Sequence, residues 1–66
     1  MGILKVIEVL SSSNKSWEDA TEKAVEKASK SVDDIKSAFV QSQSVTVKDG
    51  KVDEYRVNVK ITFEVH

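Results

Sequence analysis

Residues 54–65 read E-Y-R-V-N-V-K-I-T-F-E-V, and this alternation of apolar and polar side chains decides the fold. Strict alternation of this length, rich in β-branched and aromatic residues, is typical of a β-strand. One side of the strand carries Tyr55, Val57, Val59, Ile61, Phe63 and Val65, and the other carries Arg56, Asn58, Lys60, Thr62 and Glu64. We expect a helix to cover the apolar side. The polar side is either exposed to solvent or shared with another copy of the chain, and we expect the functional site to lie on that side.

A helix is predicted from Trp17 to about Asp33. Ser16 precedes it as the N-cap, and the acidic residues of the first turn suit the positive end of the helix dipole. Apolar residues, most of them small, recur at four-residue steps, namely Ala20, Ala24, Ala28 and Val32. Because this stripe is narrow and its side chains are small, the helix can approach a sheet closely.

Two more strands are predicted, Ile3–Leu10 before the helix and Lys36–Lys48 after it. A polar loop is expected at residues 11–15, where three serines are followed by asparagine and lysine. The second strand has a weaker apolar pattern than the others, with one face expected to hold Phe39, Val45 and Val47.

The strongest turn signal in the chain is Asp49-Gly50, which closes a hairpin between the second and the last strand. The order of elements is therefore β-α-β-β. The helix crosses from the first strand to the second and leaves room for the last strand between them. The sequence predicts a single α+β domain over residues 1–66, with a three-stranded antiparallel sheet in the order 1-3-2 packed on one helix.

The composition excludes several classes of site. The chain has 66 residues, a net charge of −1, no cysteine, no proline and a single histidine at its end. These counts exclude a disulfide, a thiolate metal site and a site that needs several histidines from one chain. The charge shows no bias toward nucleic acid or anionic membranes. No apolar run can span a bilayer and no signal-peptide pattern opens the chain, so a cytoplasmic protein is expected.

The short length also predicts self-association. A chain of this size buries only about 60% of its unfolded surface, which leaves its own core marginally stable. The first strand is apolar enough to be covered on much of both faces, which favours neighbouring copies. No catalytic set is present, because a nucleophile with its base would need a histidine or an activated lysine. We therefore expect a homo-oligomer that is not an enzyme.

Candidate binding residues lie on the second and third strands and near the end of the predicted helix. Arg56 either forms a surface ion pair or donates to an anionic or carbonyl-bearing ligand at a subunit contact. Gln43, like Gln41, either pairs across strands or hydrogen-bonds a ligand. Asp33 and Asp34 oppose the helix dipole where the sequence places them, so they are expected to accept hydrogen bonds or cations from elsewhere.

The ordered combination of several segments resembles the dodecins, a family of small flavin-binding proteins. The segments are K-V-I-E-V-L at residues 5–10, S-W-E-D-A at 16–20, A-V-E-K-A-S-K-S-V-D-D-I at 24–35 and the final strand at 54–65. The resemblance implies a β-α-β-β subunit and a hollow dodecamer with cubic symmetry. It also implies flavin bound between subunits at the two-fold axes, for storage rather than turnover.

Two positions depart from the pattern that the resemblance implies. Flavin-binding dodecins stack a tryptophan on the flavin ring and hydrogen-bond its edge with a glutamine, and the matching positions here are Ser37 and Arg56. Family members without the tryptophan look like a separate branch, and calcium binding has been attributed to members of that branch. The first hypothesis is therefore a dodecameric storage protein that binds flavin (riboflavin or FMN) or a related ligand between subunits, with Ser37, Arg56 and Gln43 as the binding residues. The alternative is a dodecameric shell that binds calcium or another cation through Asp33 and Asp34.

Overall fold

The chain forms one helix packed on one face of a three-stranded sheet. The computed structural model describes residues 2–66, with β1 at Ile3–Ser13, α1 at Trp17–Ala28, β2 at Ile35–Lys48 and β3 at Lys51–Val65. The sheet is antiparallel in the order β1-β3-β2, so the predicted topology is confirmed. None of the helical structure in these residues has the length and apolar character needed to cross a membrane.

The core lies between the helix and the apolar side of β3. Its buried members are Ala20, Ala24 and Ala28 of α1 and Val57, Val59 and Ile61 of β3. The predicted small-residue stripe therefore faces the predicted apolar side of the strand. Because alanine carries only a methyl group, the helix backbone comes close to the sheet, and the central strand is covered more fully than its neighbours.

The helix begins as predicted but ends earlier. The Ser16 hydroxyl accepts a hydrogen bond from the Asp19 backbone N–H at 2.9 Å, which is the expected N-cap. At the other end the helix stops at Ala28, whose carbonyl accepts from the N–H groups of Ser31 and Val32. Serine and β-branched valine are weaker helix formers than alanine or lysine, and the last turn tightens where they cluster. The prediction that the helix reaches Asp33 is wrong.

The serines after Leu10 continue β1 instead of forming a loop. Ser11 and Ser13 pair with Val57 and Tyr55 on the helix side of the sheet. Ser13 is buried, and its hydroxyl donates to the Asp19 carboxylate at 2.6 Å. The polar composition of residues 11–15 predicts a loop, but this contact with the helix holds the first three of them in the strand.

Strand β2 contains irregularities that change which face its side chains occupy. The pairing with β3 shifts between Val40 and Ser42, so one extra residue separates the two halves of the strand. Phe39 pairs with Lys60 on the polar side, whereas Val45 pairs with Tyr55 on the helix side. The expectation that Phe39, Val45 and Val47 share one face is wrong, because a shift of one residue reverses the side of every residue that follows.

Candidate functional site

The side of the sheet opposite the helix is uncovered, and we call it the bare face. It carries the even-numbered residues of β3 between positions 54 and 64, together with the β1 and β2 residues that pair with them. Four large apolar side chains are more than half exposed there: Leu4 at 61%, Val6 at 57%, Leu10 at 72% and Phe39 at 65%. Soluble monomers seldom leave so much apolar surface on one face, which favours a protein or ligand partner.

A cavity of about 320 Å³ opens on the bare face around Arg56. Two rows of paired residues line it, Ser12–Arg56–Ser44 and Leu10–Asn58–Ser42. The flanking serines are short, so they leave space on both sides of the long guanidinium-bearing side chain. No carboxylate of residues 2–66 forms an ion pair with Arg56, so the guanidinium donors are free to meet a ligand or a second copy.

Beside Arg56, the side chain of Asn58 contains a buried acceptor without a partner. Its Oδ1 atom is out of contact with solvent and receives no hydrogen bond from residues 2–66. A buried polar atom left unpaired typically costs about 1–3 kcal/mol. Such an atom next to an open cavity favours a donor that arrives from a ligand or from another copy.

A single copy does not bring the three predicted flavin residues together. Arg56 and Ser37 both lie on the bare face, but Ser37 pairs with Thr62, six residues further along β3. At about 3.3 Å per residue this separation is roughly 20 Å. Gln43 pairs with Val57 and lies on the helix side of the sheet. A site that uses all three residues therefore has to draw them from different subunits.

Gln43 instead lines a second cavity, of about 540 Å³, between the start of α1 and β2. We call it the Trp17 groove, and its lining residues are Trp17, Glu18, Thr21, Glu22, Val40 and Gln43. The indole N–H of Trp17 donates to the Ser44 carbonyl at 3.0 Å, and its ring meets that of Tyr55 edge-on with centroids 5.2 Å apart. These two contacts hold the indole in place. The groove joins residues that lie far apart in the sequence, so no local pattern predicts it.

The two candidate metal-binding acids lie in the loop between α1 and β2. Asp34 has a positive φ of 56°, its carbonyl accepts from the Glu64 N–H at 3.0 Å, and its carboxylate bonds the His66 ring. This bond with His66 holds the pKa of the Asp34 carboxyl below its ordinary value. Across residues 2–66 no three His, Cys, Asp or Glu side chains form a group able to hold a metal ion. Calcium at Asp33 and Asp34 would therefore need ligands from a second copy or from water.

Comparison with known proteins assigns the family. The dodecin family model matches residues 3–66. Calcium dodecin of Mycobacterium tuberculosis is 37% identical over 65 residues, covering 98% of this chain and 92% of that protein. The crystal structure of that calcium dodecin, which is described with a calcium-binding site, superposes with a TM-score of 0.85 at 38% identity over 97% of this chain and 91% of that one. Dodecin from Streptomyces coelicolor gives a TM-score of 0.94 at 25% identity, over 98% of this chain and 93% of that chain. The chain belongs to the dodecin family.

Proposed function

We propose that this dodecin is a non-enzymatic storage protein that assembles into a hollow dodecamer and binds flavin between its subunits. The observation that carries the proposal is the Arg56 cavity. It opens on a face that exposes four large apolar side chains, and the Arg56 guanidinium has no ion-pair partner in residues 2–66. A ligand bound there would be enclosed when the bare face of one copy meets that of another.

The size of the core supports assembly through the bare face. Of the six buried apolar residues, three are alanines, which contribute little area. Burying a large aliphatic or aromatic side chain contributes about 1.5–3 kcal/mol relative to leaving it exposed. Covering the four exposed apolar side chains of the bare face would therefore add substantially to a marginal core.

The residues of the cavity suit the phosphate of FMN better than they suit the flavin ring. The Arg56 guanidinium offers charge-assisted hydrogen bonds to a phosphate, so FMN should bind more tightly than riboflavin. The side chain of Leu10 provides an apolar wall, and Asn58 and the serines provide polar contacts. Ser37 gives no ring for stacking. An aromatic stack on a base is worth about 1–3 kcal/mol, so binding should be weaker than in a site that has one.

A fluorescence titration with riboflavin and with FMN tests the proposal, on protein whose mass is known from light scattering. We expect saturable quenching, with FMN preferred by roughly 10- to 100-fold, the range for hydrogen bonds to a charged group. Arg56→Ala should abolish the preference for FMN. Lys60→Ala, which removes another cation from the bare face, should preserve it. A verified assembly that quenches neither ligand would contradict flavin storage.

Calcium binding is the second candidate, and the 37% identity to calcium dodecin favours it. In this alternative Asp33 and Asp34 supply carboxylates to an ion shared between copies, which fits the oxygen ligands that calcium prefers. Calorimetry and thermal melting with calcium and with chelator test it. The double variant Asp33→Asn/Asp34→Asn should lose the heat of binding, and Asp49→Asn/Asp53→Asn should retain it. If the unaltered protein gives neither heat nor a thermal shift, calcium binding is ruled out.

A further inference from the structure

One aromatic side chain of residues 2–66 lies on the bare face, the phenyl ring of Phe39. It is 65% exposed and pairs with Lys60 of β3. The other aromatic residues are Trp17 in α1 and, at odd positions of β3 on the helix side, Tyr55 and Phe63. None of these three rings packs against the ring of Phe39. The ring is therefore free to meet a partner on the bare face.

An irregularity in β2 puts Phe39 on this face. The pairing with β3 shifts between Val40 and Ser42, so the alternation of sides is reversed across the shift. Without the extra residue, Phe39 would share the helix side of the sheet with Val45. Bulges of this kind are often found beside functional sites, where they re-aim a side chain. Here the shift brings an aromatic ring to the face that carries the Arg56 cavity.

Phe39 and the Arg56 cavity lie close enough to contact one ligand. Lys60, the partner of Phe39, is four residues from Arg56 along β3, which corresponds to roughly 13 Å. Between them lies a row of residues that already lines the cavity, namely Leu10, Asn58 and Ser42. The ribityl chain of FMN separates the phosphate from the flavin ring. Together with the long side chain of Arg56, it spans a distance of this order.

The acidic residues of the bare face do not interrupt this path. They are Glu8, Glu54 and Glu64. Glu8 lies directly opposite Lys60 on the β1 side, where the two opposite charges attract. Glu64 forms an ion pair with Lys36 at 3.5 Å, and Glu54 lies on the far side of Arg56 from Phe39. None of the three lines the cavity, so no carboxylate lies between the cavity and Phe39.

We propose that Phe39 stacks on the ring of a flavin whose ribityl or phosphate end lies in the Arg56 cavity of the same copy. This inference rests on the proposed function and adds to it a binding residue for the ring. Ser37 offers no ring, but Phe39 is the next residue on the same side of β2. The stacking surface is thus displaced by two residues, and the smaller phenyl ring recovers part of what an indole would supply. Because it contacts only the ring, Phe39 contributes equally to riboflavin and FMN binding.

Phe39→Leu tests the stack, because leucine keeps an apolar side chain at this position and removes the ring. Binding is followed by the anisotropy of flavin fluorescence, on protein whose mass is known from light scattering. We expect Phe39→Leu to weaken riboflavin and FMN binding by the same factor, roughly 5- to 150-fold, and to leave the mass unchanged. Phe39→Trp should bind both flavins at least as tightly as the wild type. The matched control is Phe63→Leu, the same change on the helix side of β3, which should preserve both affinities.

Arg56→Ala separates the contact with the ring from the contact with the phosphate, because it should weaken FMN and spare riboflavin. A wild-type protein that binds flavin with an affinity unchanged by Phe39→Leu would overturn this inference and leave the proposed function standing. A lower mass for Phe39→Leu would also overturn it, since the ring would then act in a contact between copies. A wild-type protein that binds neither flavin would refute the proposed function, and this inference with it.

Discussion

Shortening Ile61 by one methyl group tests whether the core between α1 and β3 carries the stability of this small chain. The Ile61 side chain is fully buried, at 0% exposure, between the alanines of α1 and the sheet. Ile→Val at such a site typically costs about 0.5–1.5 kcal/mol. A chain of 66 residues has about 3–10 kcal/mol of stability in total, so this single change removes a measurable share of it. For a domain of this size, a loss of 1 kcal/mol lowers Tm by about 4–8 °C.

The matched control is Ile3→Val, the same chemical change at a site that is 71% exposed. Its effect should stay within about 0.5 kcal/mol, as for most surface substitutions. Urea unfolding followed by circular dichroism measures both variants, at one fixed chain concentration because the proposed assembly would make stability concentration-dependent. Equal losses from the two substitutions, or no loss from Ile61→Val, would refute the placement of the core.

Three further predictions concern the helix and the binding surface. Ser16→Ala removes the N-cap and should cost about 1 kcal/mol in urea unfolding. The hydrogen bond from the Ser13 hydroxyl, and then Lys23, hold the pKa of the Asp19 carboxyl below its ordinary value of 3.8. The ionised carboxylate therefore contributes its full stabilisation at pH values above the pKa of Asp19 in the unfolded chain. This stabilisation is lost as the pH falls through the lower pKa of Asp19 in the folded chain. Asp19→Asn should therefore flatten the acid side of a Tm–pH profile. Ser37→Trp supplies a stacking ring and should tighten flavin binding by roughly 5- to 150-fold in the fluorescence titration; unchanged affinity would place the flavin elsewhere.

The topology could be predicted because its strongest signals are local. The alternation along β3 and the Asp49-Gly50 turn depend on neighbouring residues alone, and both occur where the sequence places them. The wrong predictions lie where contacts between residues that are separated in the sequence determine the local structure. Ser13 stays in β1 because it bonds Asp19, six residues away, and the extra residue at Gln41 has no glycine to mark it. The early end of α1 reflects weak helix formers that a four-residue apolar repeat conceals.

The candidate site was only partly predictable, for a similar reason. The alternation of side chains along a strand is enough to assign Arg56 to the polar side of β3. The cavity around Arg56 exists because short serines flank it on the neighbouring strands β1 and β2. The Trp17 groove joins the start of α1 to β2, and the hydrogen bond from Trp17 to Ser44 spans 27 residues of sequence. No local pattern reports such a contact. The unpaired Oδ1 of Asn58 likewise becomes visible only when its neighbours on both strands are known.

The Arg56 cavity and the exposed apolar residues occupy the same face, so ligand binding and assembly are coupled in the proposed function. A ligand held between copies binds the assembled state and not the separated chains. By mass action it stabilises that state by about 2.7 kcal/mol when its free concentration is 100 times Kd. This exceeds the expected cost of Ile61→Val, so saturating ligand should offset a defect in the core of each subunit. A subunit with so many alanines in its core can therefore depend on its assembly, and on what the assembly holds, for much of its stability.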